Sequence, residues 1–363
     1  MTSCPEQLRP RAARSGGLGP AVPVRERLWR ILAALACLAA TAVPPVRSEV
    51  APLAAPGDSV VVHGTSIKAF PYAYYTPETE FAVGVGGIAT FYTADDDTVR
   101  PSKIVLSGYY TTTEQYLITL NPEFYFSRNR YFAGLNLSFG HFVDKFWGIG
   151  NDTPELGTER YVADRYRIEL EVEVPPIFFV SDRAGLVYDF EYSEIVDPEE
   201  NPYLLSGEVT GSEGGTVSGL GARWIWDRRN HSFYPTHGDL HQTQFVVYTS
   251  ATGSDFTYWS FEHDDRRYIA LAKNKVLAIQ AYVAMAVGDA PFNKLPALGG
   301  QHRMRGYYEG RYRDQAYLMG QVEYRQVLSR RWGFVAFAAI GDVAEDITKF
   351  HGPSFKVAGG AGI

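Results

Sequence analysis

Cysteine is nearly missing from this chain. Of 363 residues only Cys4 and Cys37 carry a thiol, and both fall within the first 48 positions. Beyond that stretch nothing could form a disulfide framework, a thiol nucleophile or a cysteine-ligated metal site. Long apolar runs are missing too. Past residue 48 no segment of about 18 consecutive apolar residues occurs, which excludes a helical membrane protein. Mean hydropathy is only -0.17. A basic excess is also lacking, since Lys and Arg number 34 against 41 Asp and Glu. Residues 1–48 hold seven Arg and two Glu, so the remainder carries 27 − 39 = −12. An acidic chain of that kind has no electrostatic footprint for nucleic acid, and none is expected as a partner.

What the chain does have begins with a leader. Arg25, Arg27 and Arg30 precede the apolar segment Ile31–Val43, which is followed by Pro44, Pro45 and Val46. A positive segment, a short apolar core and a small-residue site at Ala40-Thr41-Ala42 describe a secretory signal peptide. The core is too short for a bilayer-spanning anchor. Cys37 is preceded by Ala34-Leu35-Ala36, a poor lipoprotein signal. The expected organisation is residues 1–48 as signal peptide and upstream leader, 49–66 as a short periplasmic segment, and 67–363 as one β-domain.

In that domain, period-two alternation replaces helical periodicity. Tyr166–Val174 is the clearest case. Ile168, Leu170, Val172 and Val174 fall on one face, and Arg167, Glu169, Glu171 and Glu173 on the other. Fourteen such strands are expected, from Ile67–Tyr75 through Phe178–Tyr192 to Trp332–Asp342 and Ser354–Ile363. Many reach nine or more residues. Globular strands average five or six, whereas a tilted membrane strand needs about 9–11. With 24 Tyr and 21 Phe to supply interfacial girdles, the pattern predicts an all-β fold, a transmembrane antiparallel β-barrel. Tight turns at Thr113–Tyr116 and Ser127–Arg130 are expected to alternate with the long connections Lys145–Glu159, Ser193–Thr216 and Val287–Gln315.

Two motifs add a family. Asp227-Arg-Arg-Asn-His-Ser-Phe-Tyr-Pro-Thr-His-Gly238 resembles the hairpin turn of bacterial surface-antigen barrels of the BamA/TamA family. Asp227, Arg229, Asn230, Tyr234, Pro235 and Gly238 stand at its matching positions. Pro235 and Gly238 supply turn dihedrals, Asp227 and Asn230 can cap backbone groups, and Phe233 and Tyr234 suit an interface. The second motif, Met304-Arg-Gly-Tyr307, is similar to the family's loop tetrapeptide of Val, Ile or Met followed by Arg, Gly and an aromatic residue. The resemblance implies that this loop folds back into the lumen and that Arg305 pairs with an acidic residue of the inner wall. Gly306 permits the backbone turn and Tyr307 follows it. Strand alternation puts Gln321, Glu323 and Arg325 inside and Leu318, Val322 and Tyr324 outside, so Glu323 is the expected partner of Arg305. Where the family commonly has Phe-x-Asp-x-Gly, this chain reads Phe337-Ala-Ala-Ile-Gly341. Ala339 occupies the Asp position, and Asp342 lies on the opposite face by alternation. The loop Trp147-Gly-Ile-Gly-Asn-Asp-Thr-Pro154 also looks familial.

The resemblance implies sixteen strands, of which about fourteen are present, so the reading frame is expected to continue past Ile363. The segment before the first strand is too short for the periplasmic POTRA modules of relatives that insert or secrete proteins. His141 with Asp144, and His263 with Asp264 and Asp265, lack metal-ligand spacing and read as solvated turns. No nucleophile elbow, P-loop or dinucleotide fingerprint occurs, so neither an enzyme nor a cofactor is expected. Three functions stay open. The first is an outer-membrane barrel of the BamA/TamA type in protein assembly or translocation. Its expected partners are outer-membrane lipid and lipopolysaccharide, with unfolded outer-membrane proteins or periplasmic chaperones. The second is a passive pore or surface antigen, and the third a soluble periplasmic β-protein.

Overall fold

The computed structural model describes residues 64–93, 100–175, 182–231, 234–329 and 331–363. The expected leader, the cleavage site and nearly all of the 49–66 segment lie outside these residues. Eleven strands come first: β1 (Ser66–Thr76), β2 (Glu80–Phe91), β3 (Ser102–Thr111), β4 (Tyr116–Phe126), β5 (Tyr131–Lys145), β6 (Arg160–Val174), β7 (Arg183–Asp197), β8 (Gly214–Asp227), β9 (Gly238–Tyr248), β10 (Tyr258–Ala272) and β11 (Lys275–Gly288). Two-residue strands β12 (Ala297–Leu298) and β13 (Tyr312–Arg313) follow, then β14 (Ala316–Val327), β15 (Gly333–Ala344) and β16 (Lys356–Gly362). One short helix, α1 (Pro202–Leu205), sits between β7 and β8.

Fourteen of these strands form one antiparallel sheet in chain order, from β1 to β11 and then through β14 and β15 to β16. Every neighbour in this meander is a sequence neighbour apart from the β12–β13 hairpin, which pairs within the β11–β14 connection. Among the described residues β1 and β16 share no ladder. The fold is all-β, a barrel-type sheet.

The two faces differ as the alternation requires. Leu170 and Val172 of β6, Leu186 of β7, Leu220 of β8, Ile279 of β11, Val322 of β14 and Ile340 of β15 point outward and are exposed. The exposed face of a soluble sheet carries polar residues, so this arrangement suits an apolar surrounding. Arg167, Glu169, Glu171 and Glu173 point inward and pair across strands. Arg223 of β8 reaches both Glu169 (3.0 Å) and Glu171 (2.5 Å), and Arg183 holds Glu173 at 2.8 Å. The interior also holds an apolar cluster in which Tyr282, Tyr317, Met319, Ala339 and Val343 of the wall surround Leu298 and Met304 of the β11–β14 loop.

Three expectations change. The seventh strand runs on to Asp197, not Tyr192, because β6 is fifteen residues long and its far end pairs with Glu194–Asp197 across a bulge at Val162/Ala163; its expected start at Phe178 lies outside the described residues. Turn lengths do not simply alternate. Each strand reverses the chain, so the tight turn 112–115 lies at the same end of the sheet as the long loops 146–159 and 289–315, while 127–130 lies at the other. The two His–Asp groups are not solvated turns. His141 lies on β5 and bonds Asp164 of β6 at 2.6 Å, and His263, Asp264 and Asp265 are consecutive residues of β10.

Candidate functional site

The site is the interior, and the β11–β14 connection occupies it. Its descent starts at the 3-10 turn Phe292–Lys294, where Lys294 Nζ lies 2.6 Å from Glu191 of β7 and Asn293 donates to the same carboxylate at 3.0 Å. The β12–β13 hairpin then brackets the segment that holds Met304, Arg305, Gly306 and Tyr307. Leu298 and Met304 are fully buried. Gly306 has φ +112°, a region that non-glycine residues rarely adopt, so the reversal after Arg305 depends on glycine.

Arg305 lies against the inner wall. Its Nη2 donates to Glu323 Oε2 of β14 at 2.5 Å, and its guanidinium carbon stands 3.7 Å from the centre of the Phe337 ring on β15. Glu323 takes a second cation, because Arg325 Nε donates to Oε1 at 2.6 Å. Both partners of the loop contact are mostly covered, with 29% and 14% of the side chains exposed. Tyr307 donates from its hydroxyl to the Val357 carbonyl of β16 at 3.2 Å. Asp342 contacts Asn151 and the Ser354 hydroxyl, not Arg305, and is buried. Arg305 therefore rests on one carboxylate and one aromatic ring.

The Asp227–Gly238 turn lies at the opposite end of the sheet from the long loops. Asp227 receives both Nε and Nη2 of Arg229 at 2.8 Å. Asn230 Oδ1 accepts the backbone N–H groups of Thr236 (2.9 Å) and His237 (3.1 Å), which closes the loop. Pro235 is buried. Gly238 has φ +102°, and a Cβ there would stand 2.2 Å from the Arg228 carbonyl oxygen. Phe233 lies outside the described residues. Tyr234 turns toward the interior, its ring centre 5.8 Å from the Arg325 guanidinium, and Tyr268 lies as near on the same cation. The two sequence motifs thus meet through Glu323 and Arg325. A cavity of about 270 Å³ lies beside this junction, lined by Arg266, Gln280, His302, Gln321 and the Arg305–Glu323 pair.

Sequence reasoning missed the clasp between the two long loops. Trp147 packs edge-on against Tyr308 at 5.1 Å, Gly150 N–H donates to the Arg313 carbonyl at 2.8 Å, and Arg311 donates to Thr153 through two nitrogens. Arg313 in turn donates to the Phe292 carbonyl at 2.9 Å. The Trp147–Pro154 motif was the available signal, but its docking partner lies some 160 residues on, beyond any local pattern. At the outer margin of this clasp Asp314 is buried, and burial pushes its carboxyl up from the ordinary range. Among the described residues no group of three or more His, Cys, Asp or Glu side chains could hold a metal.

Comparison with known proteins agrees with this architecture. Among curated proteins none matches the chain. Among solved structures, BamA from Haemophilus ducreyi lacking POTRA domains 1–3 is similar in fold, with a TM-score of 0.53 at 16% identity, over 77% of this chain and 57% of that one. This chain therefore spans a little over half the length of that relative. Residues 101–363, which run from β3 through the luminal loop to β16, match the Omp85 superfamily domain. The chain belongs to the Omp85 superfamily, with a barrel fold similar to that of BamA.

Proposed function

We propose that the protein resides in the bacterial outer membrane and takes part in assembling or translocating outer-membrane proteins, with the β11–β14 loop as a luminal plug. One observation carries this reading. The β11–β14 loop docks inside, with Leu298 and Met304 fully buried and Arg305 held on Glu323. A passive pore requires an open, water-filled lumen, so a loop docked across the interior favours the assembly reading over the pore. In the proposed organisation residues 1–48 are removed on export, 49–66 lie in the periplasm and 67–363 form the barrel. Outer-membrane lipid and lipopolysaccharide would surround the apolar outward face, and unfolded outer-membrane proteins or periplasmic chaperones would be the protein partners. No enzymatic step belongs to this reading.

The test is a deletion strain complemented with the intact or plug-altered gene. Depletion of several envelope proteins, restored by the intact gene, is the expected result. Normal envelope-protein levels together with a steady conductance of the purified protein in planar bilayers would favour a passive pore. N-terminal sequencing of the protein recovered from outer membranes tests the proposed cleavage.

A further inference from the structure

The two ends of the sheet differ in charge. Apart from the luminal plug 289–315, the connections at the end of the long loops hold twelve Asp and Glu residues against one cation, Lys349. The opposite end reverses that sign over one sector. Connections 228–237, 273–274 and 328–332 hold Arg228, Arg229, Lys273, Arg330 and Arg331 and no Asp or Glu, and Lys275 opens β11 just after the second. They join β8 to β9, β10 to β11 and β14 to β15, which follow one another in the sheet, so the cations share one stretch of rim. The rest of this end is mixed, with Arg128 and Arg130 in 127–130 but Asp95, Asp96 and Asp97 in 92–101.

Little inside the protein matches these charges. Arg229 is taken by Asp227 at 2.8 Å. Arg228, Lys273, Lys275 and Arg331 pair with no carboxylate among the described residues, and all but Lys275 are exposed. Two outward carboxylates of the adjoining strands, Asp239 and Asp265, face His241 at 3.7 and 3.1 Å. A solvated cation needs no partner, so exposure alone decides nothing. Position does. The apolar outward face runs up to these turns, with Leu271 two residues before Lys273, and Leu328 and Trp332 flanking the Arg330–Arg331 pair. Leu271, Leu328 and Trp332 are 54%, 57% and 61% exposed. Aromatic residues beside cations at the edge of an apolar belt are the pattern of a membrane–water interface.

A ligand that matches both features has an apolar tail and an anionic head. An acidic protein surface would meet the cations and leave Leu271, Leu328 and Trp332 uncovered. A lipid covers those side chains with its acyl chains and reaches the cations with its phosphate. A zwitterionic headgroup carries no net charge, so cations left without carboxylates favour a lipid whose headgroup is net negative. We propose that the β8–β9, β10–β11 and β14–β15 turns form a docking surface for anionic phospholipid headgroups, with Arg228, Lys273, Lys275 and Arg331 as the contacting cations. In the proposed organisation residues 49–66 precede β1 in the periplasm, and β1 starts at this end of the sheet, so the leaflet concerned is the periplasmic one. The inference rests on the membrane-embedded reading and deepens it by naming a lipid class and its place on the barrel.

The experiment uses the full chain reconstituted in phosphatidylcholine vesicles with a trace of spin-labelled phosphatidylglycerol or spin-labelled phosphatidylcholine. Electron spin resonance reads the fraction of each label immobilised against the protein. At low salt the glycerol lipid should be preferred by about fivefold, and the preference should fall toward parity in about 1 M salt. Neutralising the sector with Arg228→Gln, Lys273→Gln, Lys275→Gln and Arg331→Gln together should abolish it. Arg228→Lys with Arg331→Lys should keep it, because the headgroup is met by charge, and Lys349→Gln at the other end should leave it unchanged. Heat-modifiable gel mobility reports folding, and if the fourfold variant does not fold, Lys273→Gln and Arg331→Gln taken singly decide, each lowering the preference. A chain that immobilises neither label would overturn the membrane-embedded reading itself. Equal association of the two lipids with an embedded chain, or a preference indifferent to salt or to the neutralised turns, would overturn the headgroup surface alone. So would equal association together with an acidic protein crosslinked at these turns, which would make that protein the occupant.

Discussion

The guanidinium of Arg305 lies 3.7 Å from the centre of the Phe337 ring, on the strand next to the one that carries its carboxylate partner. The ring covers one face of the cation while Glu323 takes an edge, and the two contacts come from different strands. The loop is thereby held to β14 and β15 together. Since Arg325 fills the other oxygen of Glu323 and reaches toward Tyr234, the luminal loop and the far turn share one carboxylate.

A first prediction follows from that sharing. Arg305→Ala removes one charged hydrogen bond and one cation–ring contact, and the loop should undock at a cost of about 2 kcal/mol. Glu323→Ala leaves two cations without their carboxylate and should cost more. The double variant should exceed Glu323→Ala by little, because the residues act as a unit. Protease accessibility of the loop and bilayer conductance read the result. Additive effects of the two substitutions would show that the pair is not what holds the plug.

The turn motif gives a second. Gly238 adopts φ +102° with the Arg228 carbonyl oxygen where a Cβ would go. Gly238→Ala must shift the β8–β9 hairpin and should cost about 1–3 kcal/mol, visible as a lower urea midpoint for loss of heat-modifiable mobility. Asn230→Ala frees two N–H groups that water can reach at this exposed turn, and should cost less. The reverse order would show that the Asn230 bonds, not the glycine, define the turn.

Much of this was legible in advance, and the physical reason is alternation. Period two fixes a face for every residue once a strand is recognised, which is how Gln321, Glu323 and Arg325 could be assigned inward without coordinates. Register is not carried by alternation. The pairing of His141 with Asp164, twenty-three residues away, depends on the register of β5 against β6. The Trp147–Tyr308 contact depends on two loops meeting, and the Asn151–Asp342 contact on the first of them reaching β15. The cation–ring contact of Phe337 needed the sideways offset of β15 against β14. His263 and Asp265 take the outward face of β10, an orientation that a turn at His263–Asp265 does not carry.

A third prediction concerns pH. Asp314 lies in the loop that leads into β14, and burial holds its carboxyl above the ordinary value, with Glu345 adding to the effect. A raised carboxyl binds its proton more tightly in the folded state, so ionisation opposes folding. The stabilising contribution is present below about pH 4, the usual Asp range, and is lost as pH rises through the folded value. Asp314→Asn keeps the acceptor for the Gln315 N–H, 2.8 Å away, and removes the charge. The variant should melt higher than the unaltered protein at neutral pH and equal it in acid. A lower midpoint for Asp314→Asn at pH 7 would show that the carboxylate is stabilised where it sits.

The last prediction separates two roles of one buried side chain. Asn201 is fully buried at the start of α1, and all of its amide capacity is used. Its Oδ1 accepts from the Tyr203 and Leu204 N–H groups at 3.1 and 3.4 Å, which caps the helix. Its Nδ2 donates to the carbonyls of Phe146 (3.0 Å) and Glu159 (2.7 Å), the two ends of the β5–β6 loop. One residue therefore pins the β7–β8 connection onto the loop that carries Trp147. Asn201→Ala leaves these groups unpaired away from water and should cost about 2–4 kcal/mol. Asn201→Asp is the sharper probe. Aspartate is an equally good helix cap, but an ionised carboxylate cannot donate and would press against two carbonyl oxygens. If the fastening of the loop is what matters, Asn201→Asp should resemble Asn201→Ala in thermal midpoint and should expose residues 147–158 to protease. If capping is what matters, Asn201→Asp should behave as the unaltered protein, and the pinned-loop account would then be wrong.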